Sequence, residues 1–377
     1  MNLNDFLIPT GDVCRRPGPF DRIVLSSRVR LARNLQDTPF PGRANKSERQ
    51  NLLKTLKPVI ESLRSMKEGY SEELSKLKRL EKQILVERHL ISRELASKSQ
   101  GSAIVLSMDE IFCVMINEED HLRMQAILPG LQIKEAWKSI DKLDTMLESE
   151  LPIAFSSHFG YLTACPTNVG TGIRVSAMLH LPGLVMAEHM QQTITAVNKL
   201  GLAVRGLYGE GTEALGNVFQ VSNQMTLGES EIQIIERLNK VVLQIIDNEE
   251  NARAKLLETK PKMVFNQIGR AYGILTNAHI ISSKEAKNLL SLVRLGVDLG
   301  YFPDVDPAVV DELFIVTEPA HIQYGEARSK SPEERDILRS NLLLDRLSNM
   351  PRPVMKAPIL PIEKIDPKDQ ETDEEKE

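Results

Sequence analysis

Residues 103–116 read AIVLSMDEIFCVMI. Two short apolar runs, residues 103–107 and 111–116, are rich in β-branched side chains and are separated by only MDE. Short apolar runs joined by so few residues are typical of a β-hairpin, in which the two strands pair antiparallel. We therefore expect an antiparallel sheet and not a series of strand–helix–strand crossovers.

Helical and strand-like segments alternate around this hairpin. Residues 47–82 are charged and leucine-spaced, which predicts one or two surface helices, and residues 136–151 also repeat apolar side chains at helical spacing. Further apolar runs typical of strands are ILVE at residues 84–87, LAVRGLYG at 202–209 and NVFQVSNQM at 217–225. Helices combined with an antiparallel sheet predict an α+β fold.

The pattern becomes helical after residue 226, and a second, helical domain is expected near the C-terminus. A capping pattern at Thr226 and Glu229 begins a segment that keeps apolar residues at helical spacing for about eight turns. Residues 263–350 continue the helical pattern, with another capping box at Ser282 and Glu285. We expect a first domain at residues 1–258, a helical domain at 259–350 and a disordered tail, rich in proline and charge, at 351–377.

The composition is ordinary for a globular protein. Of the 377 residues, 41% are hydrophobic and 26% are charged, and the formal net charge of −5 argues against a nucleic-acid surface. No apolar run approaches the roughly 20 residues needed to cross a bilayer, and the first residues lack the apolar core of a signal peptide. Three widely spaced cysteines, Cys14, Cys113 and Cys165, indicate neither a disulfide framework nor a zinc site. We expect a cytoplasmic protein.

Two segments set arginines and carboxylates on a predicted strand or at its end. In SSRVRLARN, residues 26–34, Arg28 and Arg30 project to the same side of an extended chain and can clamp an anion; a solvated, salt-bridged edge strand is the alternative. In NEEDHLR, residues 117–123, three consecutive carboxylates follow an apolar strand and need a compensating cation. The alternative there is an acidic helix start.

Two further segments are rich in glycine. CPTNVGTGIR, residues 165–174, combines a thiol, two glycines and an arginine in a loop, although a lone cysteine is more often buried and inert. In VRGLYGEGTE, residues 204–213, Glu210 lies between two glycines. It is either a plain turn residue or part of a lid that closes over a substrate.

These residue types in combination indicate a polyanion beside a planar cation. Five arginines cannot converge without an anionic partner, because like charges repel. Two glutamates can hold a guanidinium in bidentate fashion while a thiolate takes a further contact. The sequence therefore predicts a site for a polyphosphate next to a guanidinium.

The four segments resemble, in order along the chain, the signature segments of the ATP:guanido phosphotransferases, the creatine and arginine kinases. The resemblance implies an α+β kinase domain of the glutamine synthetase type, with an antiparallel sheet, that uses ATP and Mg²⁺. It implies an ATP-phosphate cradle of Arg28, Arg30, Arg123, Arg174 and Arg205, and His89 in the nucleotide pocket. It further implies that the substrate guanidinium is held by Glu119, Glu210 and Cys165. We expect outer-shell contacts to magnesium from Glu118 and Asp120.

The chain departs from the creatine and arginine kinases in three features, and in these it is more similar to the bacterial protein-arginine kinases. That resemblance covers about residues 23–350. The first arginine segment begins at Ser26, without the helical N-terminal domain that closes over free substrates in the small-molecule kinases. Met178 stands in place of an adenine-side histidine, and Tyr208 in place of an arginine of the arginine kinases. Residues 334–340, ERDILRS, resemble that family's RDxxRA phosphoarginine-binding segment, with matches at Arg335, Asp336 and Arg339 and a departure at Ser340.

This second resemblance implies transfer of the γ-phosphoryl group of MgATP to arginine side chains of proteins, which marks them for a Clp protease. It also implies a homodimer or larger homo-oligomer, a Clp ATPase or protease as partner, and an activator protein. One alternative is a small-molecule phosphagen kinase, which the missing N-terminal domain disfavours. The other is a catalytically silent adaptor that reads phosphoarginine, which the retained glutamates, cysteine and arginines disfavour.

Overall fold

A computed structural model describes residues 17–206 and 214–355. The strands are β1 (Val24–Arg33), β2 (Tyr70–Glu73), β3 (Ala103–Leu106), β4 (Phe112–Ile116), β5 (Leu122–Pro129), β6 (Phe155–Ser156), β7 (Gly160–Tyr161), β8 (Ile173–His180), β9 (Leu202–Gly206) and β10 (Val218–Asn223). Within the described ranges, β6 pairs with β7, and the other eight strands form one antiparallel sheet in the order β2-β3-β4-β5-β1-β8-β10-β9. The predicted α+β class is confirmed.

The helices cover the sheet and continue into a helical C-terminal region. They are α1 (Lys46–Ser62), α2 (Arg79–Glu87), α3 (Arg93–Ser97), α4 (Ile133–Glu150), α5 (Pro182–Met186), α6 (Met190–Lys199), α7 (Glu231–Thr259), α8 (Pro261–Leu275), α9 (Ser283–Asp298), α10 (Pro307–Val316), α11 (Pro319–Tyr324) and α12 (Pro332–Leu347). Among the helices of the described ranges, none is long and apolar enough to cross a membrane.

The hairpin predicted at residues 103–116 is confirmed, because β3 and β4 pair with Leu106 opposite Cys113. All four residues of β3 are buried, so its sequence lacks the alternation of a half-exposed strand. Leu106 and Cys113 pack in a core with residues of α2 and α3, whereas Val105 and Val114 pack on the other face with residues of α1.

Two expectations between residues 47 and 87 are wrong. Residues 84–87 form the last turn of α2 and not a strand; all four are buried, so this turn shows no helical periodicity. Ile84 packs against Ala320 of α11, and Glu87 accepts hydrogen bonds from the Ala320 and His321 backbone N–H groups. Residues 70–73, expected within a helix, form the polar edge strand β2, because Tyr70 pairs with Leu106.

The long helix predicted after residue 226 is confirmed as α7, but its cap lies elsewhere. Ser230 is the N-cap, with Gln233 completing the capping box. Thr226 instead donates from Oγ1 to the Thr167 and Val169 carbonyl oxygens, at 2.9 and 2.7 Å. It therefore holds the loop after residue 165 and not the helix.

The helical pattern predicted for residues 263–350 is confirmed. Ser282 caps α9 by accepting from the Glu285 N–H, and α8, α9, α10 and α12 contribute to a second hydrophobic core. The first core extends along the chain to Ala252, and the second begins with Leu256. The domain boundary at residue 258 stays a prediction, and the tail beyond residue 355 lies outside the described residues.

A buried ion network joins α7 to the helical region. Arg253 of α7 contacts Glu249 at 2.7 Å and Asp298 at 3.2 Å. Arg294 of α9 contacts Asp298 and, at 2.7 Å, Asp311 of α10. Because both arginines also donate to backbone carbonyls just before β1, the network fixes the helical region against the sheet.

Candidate active site

The arginines predicted on the first strand and the loop after residue 165 face each other. Arg30 of β1 lies directly opposite Arg174 of β8, and Arg123 of β5 lies opposite Ala32 of β1. Directly opposed residues of antiparallel strands point to the same face, and alternate residues of one strand share a face. Arg28, Arg30, Arg123 and Arg174 therefore line one face of the sheet, which we call the arginine face.

Arg205 joins this face through β10. Gln220 of β10 lies opposite both Arg205 of β9 and Met178 of β8, and it accepts a hydrogen bond from Arg28 Nη2 at 2.9 Å. Four strands, β1, β5, β8 and β9, thus bring the five predicted arginines to one surface. Gln220 was missed in the sequence, although the alternation in NVFQVSN marks it as the polar position of an otherwise buried strand.

The arginine face concentrates positive charge. Burial, followed by the charges of Arg123 and Arg174, lowers the pKa of Arg28 to about 10. The pKa of Arg30 is also lowered, first by burial and then by Arg28 and the same two neighbours. Among the described residues, nothing accepts a hydrogen bond from the buried Nε of Arg30. Both the repulsion and the unused donor favour an anion on this face.

Glu118 follows β4 and is fully buried beside the arginine face. Its Oε1 lies 2.6 Å from Arg123 Nη1 and accepts a hydrogen bond from Ser92. Its Oε2 accepts from the Glu119 N–H at 2.7 Å. Although burial alone opposes the charge, the attraction of Arg123 and these hydrogen bonds hold the pKa of Glu118 below its ordinary value.

The next two carboxylates of this segment have different surroundings. Much of the Glu119 side chain is exposed. Its pKa is raised by the burial of the remaining part and by the charges of Asp120 and Glu118. Asp120 is buried, and its Oδ1 accepts from Asn34 Nδ2 and from the Ala164 N–H, both at 2.6 Å. Asp120 therefore ties the strand end to the loop that carries Cys165.

The Cys165 loop is held by close backbone contacts. A Cβ atom on Gly160 would lie 2.4 Å from the Gly170 carbonyl oxygen, and one on Gly170 would lie 2.5 Å from that of Thr226, so both positions require glycine. Cys165 is half-buried, and its Sγ lies 3.0 Å from Thr167 Oγ1. Because the preceding residue, Ala164, is bonded to Asp120, the loop brings the thiol to the strand end beside the arginine face.

Glu210 and Tyr208 lie outside the described residues, which resume at Ala214. The strand before the gap contributes Arg205, and β10 after it contributes Gln220. The strands on either side of residues 207–213 therefore both contribute to the arginine face.

His89 lies next to a cavity of about 390 Å³ that opens beside Arg28. Burial, and after it the charge of Arg28, lowers the pKa of His89 to about 3, so its imidazole is neutral at physiological pH. Its backbone has a positive φ of 59°, and its carbonyl accepts from Gln125 Nε2 at 3.1 Å. Met178 and Gln220 form part of the same cavity wall.

The segment resembling a phosphoarginine-binding motif lies on α12, in the helical region. Arg335 donates to the Lys330 carbonyl oxygen at 2.7 Å and is half-buried. Arg339 is 1% exposed and donates to the carbonyl oxygens of Thr317 and Ile281, at 2.7 and 2.9 Å, besides its salt bridge to Asp336. Arg339 therefore holds three parts of the helical region together.

Ser340 replaces the alanine of the family's motif and is buried. Its Oγ donates to the Ala278 carbonyl oxygen. The additional hydroxyl is therefore satisfied inside the helical region, without displacing the neighbouring Arg339.

The donors around the arginine face do not form a metal cage. Within residues 17–206 and 214–355, no group of three or more His, Cys, Asp and Glu side chains is arranged to hold a metal ion. Glu118 is engaged with Arg123, and Asp120 with Asn34 and Ala164. These surroundings fit a magnesium ion held mainly by phosphate oxygens and water, with protein carboxylates outside its first ligands.

Two family models match the chain. Residues 51–252 match the ATP:guanido phosphotransferase C-terminal catalytic domain, and residues 261–358 match the protein-arginine kinase McsB C-terminal domain. Among solved structures, the duplicated taurocyamine kinase from Schistosoma mansoni aligns with a TM-score of 0.57 and 26% identity, over 67% of this chain and 35% of that one. Lombricine kinase aligns with a TM-score of 0.55 and 25% identity, over 66% and 72% of the two chains.

Curated relatives match over nearly the whole chain. A protein-arginine kinase of Halothermothrix orenii is 46% identical over 88% of this chain and 95% of its own length. One from Brevibacillus brevis is 45% identical over 90% of this chain and 96% of its own length. The arginine face, the Cys165 loop and these matches lead to one conclusion: the chain belongs to the protein-arginine kinase family of ATP:guanido phosphotransferases.

Proposed function

We propose that this protein transfers the γ-phosphoryl group of ATP to a guanidino nitrogen of arginine side chains in proteins. The observation that carries the proposal is the convergence of five arginines on one sheet face beside Cys165 and Glu119. The relatives with 45 to 46% identity are protein-arginine kinases, which favours a protein substrate.

The arginine face binds the phosphate chain. Arg28, Arg30 and Arg174 repel one another without an anion, so phosphate oxygens relieve that repulsion and accept from the unused Nε of Arg30. Phosphoryl transfer depends mainly on alignment and charge stabilisation, and a rigid sheet provides both.

Glu119 orients the incoming guanidinium and accepts its proton as the N–P bond forms. Its carboxylate is exposed and forms no salt bridge with any residue of 17–206 or 214–355, whereas that of Glu118 is paired with Arg123. Its raised pKa increases its basicity. Glu210, outside the described residues, is proposed as the second carboxylate that holds the guanidinium.

Cys165 lies on the other side of the substrate nitrogen in this proposal. Its sulfur contacts the guanidinium and polarises the attacking nitrogen. Asp120 is a positioning residue here, because its hydrogen bond to Ala164 fixes the residue before Cys165.

Magnesium is proposed to arrive with ATP. When bound, it neutralises charge on the phosphate chain, and Glu118 and Asp120 lie outside its first ligands. The carboxylate of Glu118 holds Arg123 through their salt bridge.

The α12 segment with Arg335, Asp336 and Arg339 is proposed as a second site, which binds phosphoarginine. We also propose a homodimer through the helical region, a Clp ATPase or protease as partner, an activator protein and a cytoplasmic location. These proposals rest on the match of residues 261–358 to the protein-arginine kinase C-terminal domain.

The deciding experiment incubates the purified chain with MgATP and a mixed protein substrate. Mass spectrometry should find acid-labile phosphate on arginine, and the Glu119→Gln variant should yield little. A parallel reaction with free arginine tests the alternative of a small-molecule kinase, because such a kinase would phosphorylate free arginine efficiently. ATP binding without any transfer to either substrate would instead support a silent adaptor.

A further inference from the structure

The cavity beside Arg28 is lined by residues of both the sheet and the helical region. One wall comes from the arginine face and includes Ser176, Met178 and Gln220. The opposite wall comes from α10 in the helical region and includes Asp311, Phe314 and Ile315. Its volume, about 390 Å³, is in the range of small-molecule sites.

The charges around the cavity show which part of a nucleotide it accepts. Beyond Arg28, its cations are matched by carboxylates, in the pairs Arg88–Glu110, Lys287–Glu318 and Arg294–Asp311. Such a lining favours a neutral group over a phosphate chain, because the carboxylates repel phosphate. Phosphates therefore lie on the arginine face, and the nucleoside enters the cavity.

The wall from α10 has a continuous inward face. Asp311, Phe314 and Ile315 are spaced i, i+3 and i+4, so they share one side of the helix. Phe314 packs so close to the segment before β10 that a Cβ atom on Gly216 would lie 3.0 Å from its Cε1. The salt bridge from Asp311 to Arg294 fixes the same helix.

One arginine of the cavity lining has an unused hydrogen-bond donor. Arg88 lines the cavity and is 8% exposed, with Nη2 bonded to Glu110. Among the described residues, nothing accepts a hydrogen bond from its buried Nη1. The salt bridge to Glu110 fixes this part of the cavity lining.

We propose that α10 of the helical region is the nucleoside-binding wall of the kinase, with Phe314 and Ile315 packing against the base. ATP affinity then depends on the helical region, whereas phosphate affinity depends on the sheet. The identity of the nucleotide rests on the proposed function; the division of the site between two domains does not.

The test measures equilibrium binding by calorimetry, with ATP and with inorganic tripolyphosphate as ligands. Phe314→Ala should weaken ATP binding about tenfold or more, because it removes an aromatic contact, and leave tripolyphosphate binding unchanged. Ile315→Ala should act in the same direction, which covers the case that the Phe314 variant fails to fold. Val309→Ala is the matched control, because Val309 is on α10 but 42% exposed and away from the cavity.

Unchanged ATP affinity in the two cavity variants overturns the proposal, and so does an equal loss for ATP and tripolyphosphate, which would indicate general damage. In steady-state assays the same variants should raise the KM for ATP and largely retain kcat. Normal ATP binding by the wild type without any phosphoarginine product would overturn the proposed function alone.

Discussion

Arg30 and Arg174 lie directly opposite each other on the central strands β1 and β8, with both side chains on the same face of the sheet. Like charges in such a pair are unfavourable, so the pair is not there to stabilise the empty protein. Its arrangement instead favours the state in which an anion lies between the two side chains.

Replacing Arg30 should separate ligand binding from folding. Arg30→Met should leave the free energy of unfolding without nucleotide unchanged or slightly higher, because it removes a half-buried charge that its neighbours repel. Thermal melts with ATP should then lose the ligand-induced stabilisation, which for wild type is about 2.7 kcal/mol at a hundred times Kd. A normal ATP-induced shift in the variant would contradict the phosphate role of Arg30.

Arg33, three residues further along the same strand, should behave in the opposite way. It is 1% exposed, bonds Asp144 of α4 through two nitrogens and lies 3.4 Å above the Tyr161 ring. Arg33→Ala leaves a buried carboxylate without its partner and should cost about 3–5 kcal/mol of unfolding free energy. Urea denaturation of Arg33→Ala and Arg30→Met gives the free energy of unfolding of each variant. Equal values would refute the structural role assigned to Arg33.

Glu119→Gln should lower the rate of transfer by about a hundredfold or more, through loss of the base, while ATP binding persists. In wild type, kcat/KM should fall on acidification at a higher pH than for an ordinary glutamate. The reason is that a raised pKa means protonation, and therefore loss of the base, begins earlier as the pH decreases. A pH–rate profile checks this, and a descending limb at or below the ordinary glutamate range would exclude Glu119 as the base.

Cys165→Ala should lower kcat without weakening ATP binding. Cys113→Ala is the control, because Cys113 is buried on β4 and burial raises the pKa of its thiol. An alkylating reagent should accordingly label Cys165 and leave Cys113 unmodified in the folded protein. Labelling followed by peptide mapping tests the assignment, and an unchanged kcat in Cys165→Ala would leave the thiol without a role in transfer.

The two arginines of the α12 segment should differ in their effects. Arg335→Ala should weaken binding of free phosphoarginine and preserve stability, because Arg335 makes one backbone contact and is half-buried. Arg339→Ala should mainly lower stability, since Arg339 holds the Thr317 and Ile281 carbonyls. Calorimetry with phosphoarginine and thermal melts measure the two effects; full phosphoarginine affinity in Arg335→Ala would argue against a second site.

The sheet and the pairing of Arg28 with Arg30 were predicted from local patterns, whereas the convergence of Arg123, Arg174 and Arg205 was predicted from the family resemblance. The hairpin at residues 103–116 and the period of two that aligns Arg28 with Arg30 can be read without tertiary information. Other features depend on distant partners. Residues 84–87 have the sequence pattern of a strand because tertiary packing buries every side chain of this helical turn. Thr226 does not cap the long helix because its hydroxyl bonds to the Cys165 loop instead. The wall from α10 was not predicted, because no motif near residue 311 indicates which surface the helix covers.

The buried ion network at Arg253 and Arg294 has a consequence for how the molecule denatures. Its charges are compensated only while α7, α9 and the chain before β1 are assembled. If one domain unfolded alone, some of these charged side chains would lose their partners while they remained in a poorly solvated interior. That state is strongly unfavourable. The two hydrophobic cores should therefore unfold in a single cooperative transition and give one calorimetric peak. Two separate peaks would contradict this expectation.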